Sequence, residues 1–199
     1  MKNVINKLLL ALVSNRRDLL IISTLIVIGV FTRTVLHIAP NLEFVTAISL
    51  TAGYIVKSKK LAVIVPLFTM LFSDLLIGNT LIFIFTWSGF LAPVLIGFLM
   101  KKIKSEDYLK LGVIGGLGGL ISSVIFFLWT NFGVVLTTTM YTKDLSGLLA
   151  SYINAIPFFR PQLVGNLLLV PLILVCTKLL LSKDEVVSFV KKVGIKSNY

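Results

Sequence analysis

The sequence has few charged residues, one cysteine and one histidine. Only 14% of its 199 residues are charged, whereas 57% are hydrophobic. A soluble domain of this size does not need so much apolar sequence, and the long uncharged runs predict a multi-pass protein of the lipid bilayer. The single cysteine, Cys176, has no partner for a disulfide within the chain. With no Cys/His cluster, the sequence predicts neither a metal site nor a cofactor.

Six apolar segments predict six membrane-spanning helices. They cover residues 19–38, 42–56, 61–78, 81–100, 109–136 and 163–181. The second is short, because a span needs about 20 helical residues. We therefore expect an all-α membrane protein with a six-transmembrane-helix bundle at residues 19–181. Residues 1–18 are expected to form a cytoplasmic amphipathic segment, and residues 182–199 a basic cytoplasmic tail.

The net charge of +11 comes from basic residues that fall on one predicted side of the membrane. With six spans, all Lys and Arg residues except Arg33, Lys143 and Arg160 lie on that side. The positive-inside rule then places both termini in the cytoplasm. Because the basic residues are divided among short loops between spans, no nucleic-acid partner is expected.

Polar side chains gather at the predicted outer ends of the spans and in the outer loop. They are Arg33, His37, Asn41, Glu43, Asp74, Asn79, Asn131, Asn154, Arg160 and Asn166. Intramembrane ionisable residues usually face the bundle interior, where they pair with each other or with a ligand. One hypothesis is an outward-opening substrate pocket with these side chains in its walls. The other is a structural network, such as an ion pair between Arg33 and Asp74.

Two further features have alternative interpretations. Residues 137–162 form the one long outer segment, and the apolar stretch 145–155 within it predicts an ordered cap or a half-inserted helix. Trp129 is most simply an interfacial anchor, and its alternative role is to stack against a substrate ring.

The glycine-rich stretch "GVIGGLGGL" predicts close helix packing. Gly112, Gly116 and Gly119 have the small-xxx-small spacing that lets two membrane helices approach. The stretch lies within an apolar helical run without a neighbouring strand, so a dinucleotide site is not indicated.

The stretches "APNLEFVTAISLTAGY", "VPLFTMLFSDLLIGN" and "WTNFGVVLTTTMYTKDLSGLLASYINAIPFFRPQLVGNLL" resemble an uncharacterised bacterial membrane family with a PNF-type turn and an SDL span end. That family is similar to the S components of energy-coupling-factor transporters, which have six helices and cytoplasmic termini. The resemblance implies a subunit of the bacterial cytoplasmic membrane that binds a vitamin or related micronutrient for uptake. It also implies a membrane coupling protein and cytoplasmic ATPases as partners.

Two other functions remain as alternatives. One is a structural or accessory membrane protein without a ligand. The other is an intramembrane enzyme, for which Ser73, Asp74 and His37 are the only candidate set. No Gly-x-Ser-x-Gly or His-Glu-x-x-His motif supports it, so the sequence predicts a protein that is not an enzyme.

Overall fold

A computed structural model describes residues 2–36, 44–103 and 107–181, with side chains from residue 16 onward in these ranges. The described residues form seven helices and no strand: α1 (Lys2–Thr34), α2 (Val45–Ile55), α3 (Lys59–Ile77), α4 (Phe83–Gly89), α5 (Leu91–Met100), α6 (Tyr108–Thr137) and α7 (Leu145–Leu180). The prediction of an all-helical chain is confirmed for this part of the protein. The expected division at residue 18 falls inside α1.

Four helical segments are long and apolar enough to cross a membrane. They are Lys59–Ile77, Phe83–Met100, Tyr108–Thr137 and Leu145–Leu180. The second consists of α4 and α5, which are separated only by Phe90. In contrast, α2 has 11 residues. At a rise of about 1.5 Å per residue it is about 16 Å long, roughly half of the hydrocarbon core.

The short helix α2 lies at the centre of the bundle. Every residue from 45 to 53 is buried, and α2 contacts α1, α3, α5, α6 and α7. Ile48 and Ala52 belong to an apolar cluster with α1 and α3, whereas Ala47 and Leu50 belong to a second cluster with α6 and α7. A helix this enclosed tolerates no long polar side chain, and the polar residues among those buried in α2 are small Thr and Ser residues.

Glycines bring α2 and α5 into backbone contact. A Cβ atom on Gly53 would collide with the carbonyl oxygen of Val94, and one on Gly97 would collide with that of Leu50. Small residues at a crossing let membrane helices approach in this way.

The contact face of α6 differs from the predicted glycine stripe. A Cβ on Gly119 would lie 2.6 Å from the carbonyl oxygen of Asn166, and one on Gly115 would lie 3.2 Å from Cα of Pro171. A Cβ on Gly116 would meet nothing within 4 Å, and one on Gly112 only a methyl group at 3.9 Å. The prediction is correct for Gly119 and wrong for Gly112 and Gly116. One residue turns a helix by about 100°, and α6 presents Gly115 rather than Gly116 to α7.

A single helix replaces most of the predicted outer segment. Helix α7 runs from Leu145 to Leu180, so only residues 138–144 connect it to α6. The stretch 145–155 is helical but continuous with the expected sixth span. The helix begins at Asp144, whose carboxylate accepts the Gly147 N–H at 2.8 Å. This bond and the hydroxyls of Ser146 and Thr142 lower the pKa of Asp144 to about 2.

The glycine contacts give a direct test with a matched control. Gly119→Ala forces α6 away from the α7 backbone, and we expect it to lower the free energy of unfolding by about 1–3 kcal/mol. Gly116→Ala adds the same methyl group where space is open, so its effect should stay within about 0.5 kcal/mol. Thermal unfolding of both purified variants in detergent measures the difference. A larger loss of unfolding free energy in Gly116→Ala than in Gly119→Ala would contradict this packing of α6 against α7.

Candidate functional site

Each end of the bundle has its own polar cluster. At one end, α1 and α3 finish and α4 begins around Asp74; we call this the Asp74 end. At the other, Lys101 follows α5 near the α2–α3 turn; we call this the Lys101 end. Nine Lys and Arg residues with described side chains lie at the Lys101 end: Arg16, Arg17, Lys57, Lys59, Lys60, Lys101, Lys102, Lys110 and Lys178. The Asp74 end has Arg33, Lys143 and Arg160.

The carboxylate of Asp74 joins three segments at the Asp74 end. Arg33 at the end of α1 donates from Nη1 to Asp74 Oδ1, and also to Ser73 Oγ at 2.5 Å. The other carboxylate oxygen, Oδ2, accepts Nδ2 of Asn79 at 2.6 Å and Nε1 of Trp87 at 2.7 Å. The Asp74 side chain is only 6% exposed. A buried carboxylate needs such donors, and here each of its oxygens has at least one.

A cavity of about 250 Å³ lies beside this network. Residues of α1, α2, α3, α4, α6 and α7 line it, together with Ile82 and Phe90, which flank α4. The lining consists of Arg33, Thr46, Met70, Ile82, Thr86, Phe90, Phe126, Phe127, Thr130, Asn131, Val134, Ala155, Phe158, Phe159 and Gln162. Nine of these fifteen side chains are apolar and six are polar, so the wall offers both packing surface and hydrogen-bonding groups to a small molecule.

Two buried polar side chains in this lining have no hydrogen bond to any part of the chain that the structure describes. Gln162 of α7 is 6% exposed, and Thr46 in the first turn of α2 is 3% exposed. By contrast, Thr130 donates its hydroxyl to the carbonyl of Phe126 at 2.8 Å. The polar atoms of Gln162 and Thr46 open onto the cavity, where water or a bound molecule can supply their hydrogen bonds.

Aromatic rings form much of the remaining wall. Phe90 and Phe126 have ring centroids 4.5 Å apart, and Phe127 and Phe159 have centroids 4.6 Å apart. Both pairs are tilted by less than 40°. Neighbouring positions of α6 thus place one ring against Phe90 and the next against α7.

The structure brings only part of the predicted site together. Arg33 and Asn131 line the cavity, and Asn131 donates its Nδ2 to the carbonyl of Phe127 at 2.8 Å. Asp74 and Asn79 bind Arg33 or each other but do not line the cavity. His37, Asn41 and Glu43 lie outside the described residues.

The remaining predicted site residues lie elsewhere. Asn166 is buried between α6 and α7, where it donates to Ser123 Oγ at 2.9 Å. Trp129 donates to Ser88 Oγ at 2.8 Å, and the exposed Asn154 bonds to Tyr141 at 3.3 Å. Arg160 is exposed. For these four residues the structure does not support a place in the cavity wall.

The sequence contained a signal for the missed wall residues. Ala155, Phe158, Phe159 and Gln162 have i, i+3, i+4, i+7 spacing, which places them on one face of a helix. This spacing did not indicate a cavity wall as long as residues 137–162 were interpreted as a long outer segment between two spans. Once α7 includes them, the face is continuous.

The polar cluster at the Lys101 end also contains a buried carboxylate. Asp18 accepts the backbone N–H of Lys57 at 3.1 Å, and Lys101 donates Nζ to the carbonyl of Val56 at 2.8 Å. Burial lowers the pKa of Lys101, and the negative charge of Asp18 partly opposes this shift. This cluster ties α1 and α5 to the α2–α3 turn.

Residues 13–188 match the model of a family of unknown function, DUF6580. The chain belongs to this family. No curated protein and no solved structure matches the sequence. The match begins within α1 and extends beyond the end of α7 in this DUF6580 protein.

The described residues of this DUF6580 protein do not form a hydrolytic centre around Ser73. Ser73 donates its hydroxyl to the Thr69 carbonyl at 2.7 Å and accepts from Arg33. No base within the described residues contacts it, and they contain no cluster of three metal-ligating side chains.

Asp74 gives a test of the network. Asp74→Ala leaves the Arg33 guanidinium buried without its carboxylate, and we expect it to lower the free energy of unfolding by about 3–5 kcal/mol. Trp87→Phe removes one hydrogen bond to the same carboxylate, for an expected loss of about 1.5–3 kcal/mol. The double variant Arg33→Met/Asp74→Leu removes both charges and should recover most of the stability lost in Asp74→Ala. Unfolding of the three variants is the measurement, and a double variant no more stable than Asp74→Ala would contradict the assignment.

Proposed function

We propose that this protein is a substrate-binding membrane subunit, similar to the S components of energy-coupling-factor transporters, for uptake of a vitamin or related micronutrient. The supporting observation is the cavity in which buried Gln162 and Thr46 have no hydrogen-bond partner in the described structure. The polar atoms of these two side chains open onto the cavity and are not enclosed by protein, so they are available to a bound molecule.

The cavity volume limits the substrate to a small molecule. At about 30 Å³ for each water in the liquid, 250 Å³ corresponds to roughly eight waters, and thus to a ligand with on the order of ten non-hydrogen atoms. A single-ring micronutrient has this size.

The proposed topology has six spans with both termini in the cytoplasm of a bacterium. Four described helices have sufficient length and apolarity, and α1 and the buried α2 would complete the six. The excess of basic residues at the Lys101 end supports a cytoplasmic position for that end. The cavity at the Asp74 end would then open outward, as uptake requires.

Transport would need partner proteins. The sequence contains no Walker motif, so the chain itself has no ATP site of that kind. The proposed partners are a membrane coupling protein and cytoplasmic ATPases, which would approach from the Lys101 end. The proposal assigns no catalytic residue to this chain.

A second candidate is a structural or accessory membrane protein. The network around Asp74 favours it, because each carboxylate oxygen has a donor within the protein and no ligand is required there. This network alone would give a stable bundle end. It does not explain the unpartnered side chains of Gln162 and Thr46.

Native mass spectrometry of the purified protein distinguishes the two functions. We expect the wild-type protein to retain a small molecule, and Ala155→Trp to lose most of it because the larger side chain fills the cavity. Asn154→Trp, on the exposed face one residue earlier, is the matched control and should keep the bound mass. If the wild-type protein carries no small molecule and Ala155→Trp leaves solute uptake by cells unchanged, the transport proposal fails.

Reporter fusions test the proposed topology separately. Fusions at Tyr199 and after Lys102 should report the cytoplasm, and a fusion after Thr142 should report the outside. Tyr199 and Lys102 lie on the predicted cytoplasmic side of the membrane, and Thr142 lies on the opposite side. An outside signal from Tyr199 would overturn the six-span count while leaving the cavity intact.

A further inference from the structure

The charge of the cavity wall constrains what it can bind. Arg33 is the only charged side chain among the described lining residues, and its charge is compensated by Asp74. The Asp74 carboxylate is itself held by Asn79 and Trp87. Among the described lining residues there is therefore no uncompensated charge for an ionic ligand. Moving an ion out of water without a counter-charge is strongly unfavourable, so this wall favours a neutral molecule.

The rings in the wall indicate the shape of the ligand. Five phenylalanines line the cavity, and four of them form the pairs Phe90–Phe126 and Phe127–Phe159. Aromatic rings prefer offset or edge-to-face contacts with other aromatic rings. A flat ring can make such contacts with either pair, whereas a puckered aliphatic ring cannot make them.

The side chain of Gln162 indicates the polar group. A carboxamide presents an acceptor oxygen and a donor nitrogen side by side, and it pairs best with a group that has the complementary donor and acceptor. Carboxamides and lactams have this arrangement and carry no charge. Thr46 adds a hydroxyl that can donate or accept.

We propose that the cavity takes a neutral aromatic ring bearing a carboxamide or lactam group, held between the phenylalanine pairs and hydrogen-bonded to Gln162. This inference rests on the proposed function and names its substrate class. Arg33 keeps its bond to Asp74 when the ligand binds. It presents N–H donors to the cavity but does not form a binding site for an anion.

Three probes of nearly identical shape test whether the cavity prefers a neutral ligand to a charged one. Benzamide is neutral, benzoate is an anion and benzamidine is a cation, and all three carry a planar group on the same ring. Ligand-observed NMR with the purified protein in detergent should show benzamide binding at least about tenfold more tightly than either charged probe, the difference expected from one lost hydrogen bond to a buried group. Cyclohexanecarboxamide, which has the same amide on an aliphatic ring, tests whether the ring must be aromatic, and it should bind about tenfold more weakly than benzamide.

Substitutions in the cavity wall test whether benzamide binds at this site. Gln162→Leu keeps the side-chain size and Thr46→Val is isosteric, so each removes polar atoms with little change of shape. We expect about tenfold weaker benzamide binding in Gln162→Leu and a smaller loss in Thr46→Val. Asn154→Leu makes the same kind of replacement on the exposed face of α7 and should bind as the wild-type protein does.

Four results would overturn the inference. They are equal or tighter binding of a charged probe, equal binding of the aliphatic amide, benzamide binding unchanged in Gln162→Leu, and no probe binding to the wild-type protein. Native mass spectrometry separates this failure from failure of the proposed function. A retained molecule that is charged or aliphatic would uphold substrate binding and reject the neutral aromatic class.

Discussion

Two buried carboxylates, one at each end of the bundle, hold its helices in register. Asp74 collects donors from α1, from Asn79 and from α4, while Asp18 binds the α2–α3 turn near Lys101. In an apolar surrounding such a group is stable only with its donors in place, so its partners cannot move independently. The position of Arg33 follows from this constraint. The cavity wall thereby receives a guanidinium whose charge is already compensated.

Helix α2 forms part of the cavity wall. The helix is short and contacts five other helices, and it contributes Thr46 to the cavity lining. Thr46 stands in its first turn. The neighbouring helices α6 and α7 continue past this level and supply the aromatic rings. The close glycine contacts between α2 and α5 hold these two helices together, with Val94 and Leu50 at the crossing.

The sequence predicted the helical class from its composition. It also offered an ion pair between Arg33 and Asp74 and a pocket lined by Asn131 as competing hypotheses, and the structure contains both the pair and a cavity that Asn131 lines. The sequence did not predict a wall position for Gln162, because residues 137–162 were interpreted as one long outer segment, whereas Pro157 and Pro161 lie inside α7. Proline is tolerated in membrane helices, where neighbouring helices and side chains satisfy the freed backbone groups. The face of α6 was equally unpredictable. Glycines at 112, 115, 116, 118 and 119 occupy several faces, and only the position of α7 selects among them.

The network around Asp74 and the cavity lie at the same end of the molecule. Asp74, Asn79 and Trp87 complete one another without any ligand, whereas Gln162 and Thr46 have no partner within the described protein. Arg33 belongs to both groups, because it binds Asp74 and also lines the cavity. A molecule that binds Gln162 therefore does not have to separate the ion pair. Arg33 therefore contributes both to the ion pair and to the cavity wall, as Met70 and Phe90 contribute both to the core and to that wall.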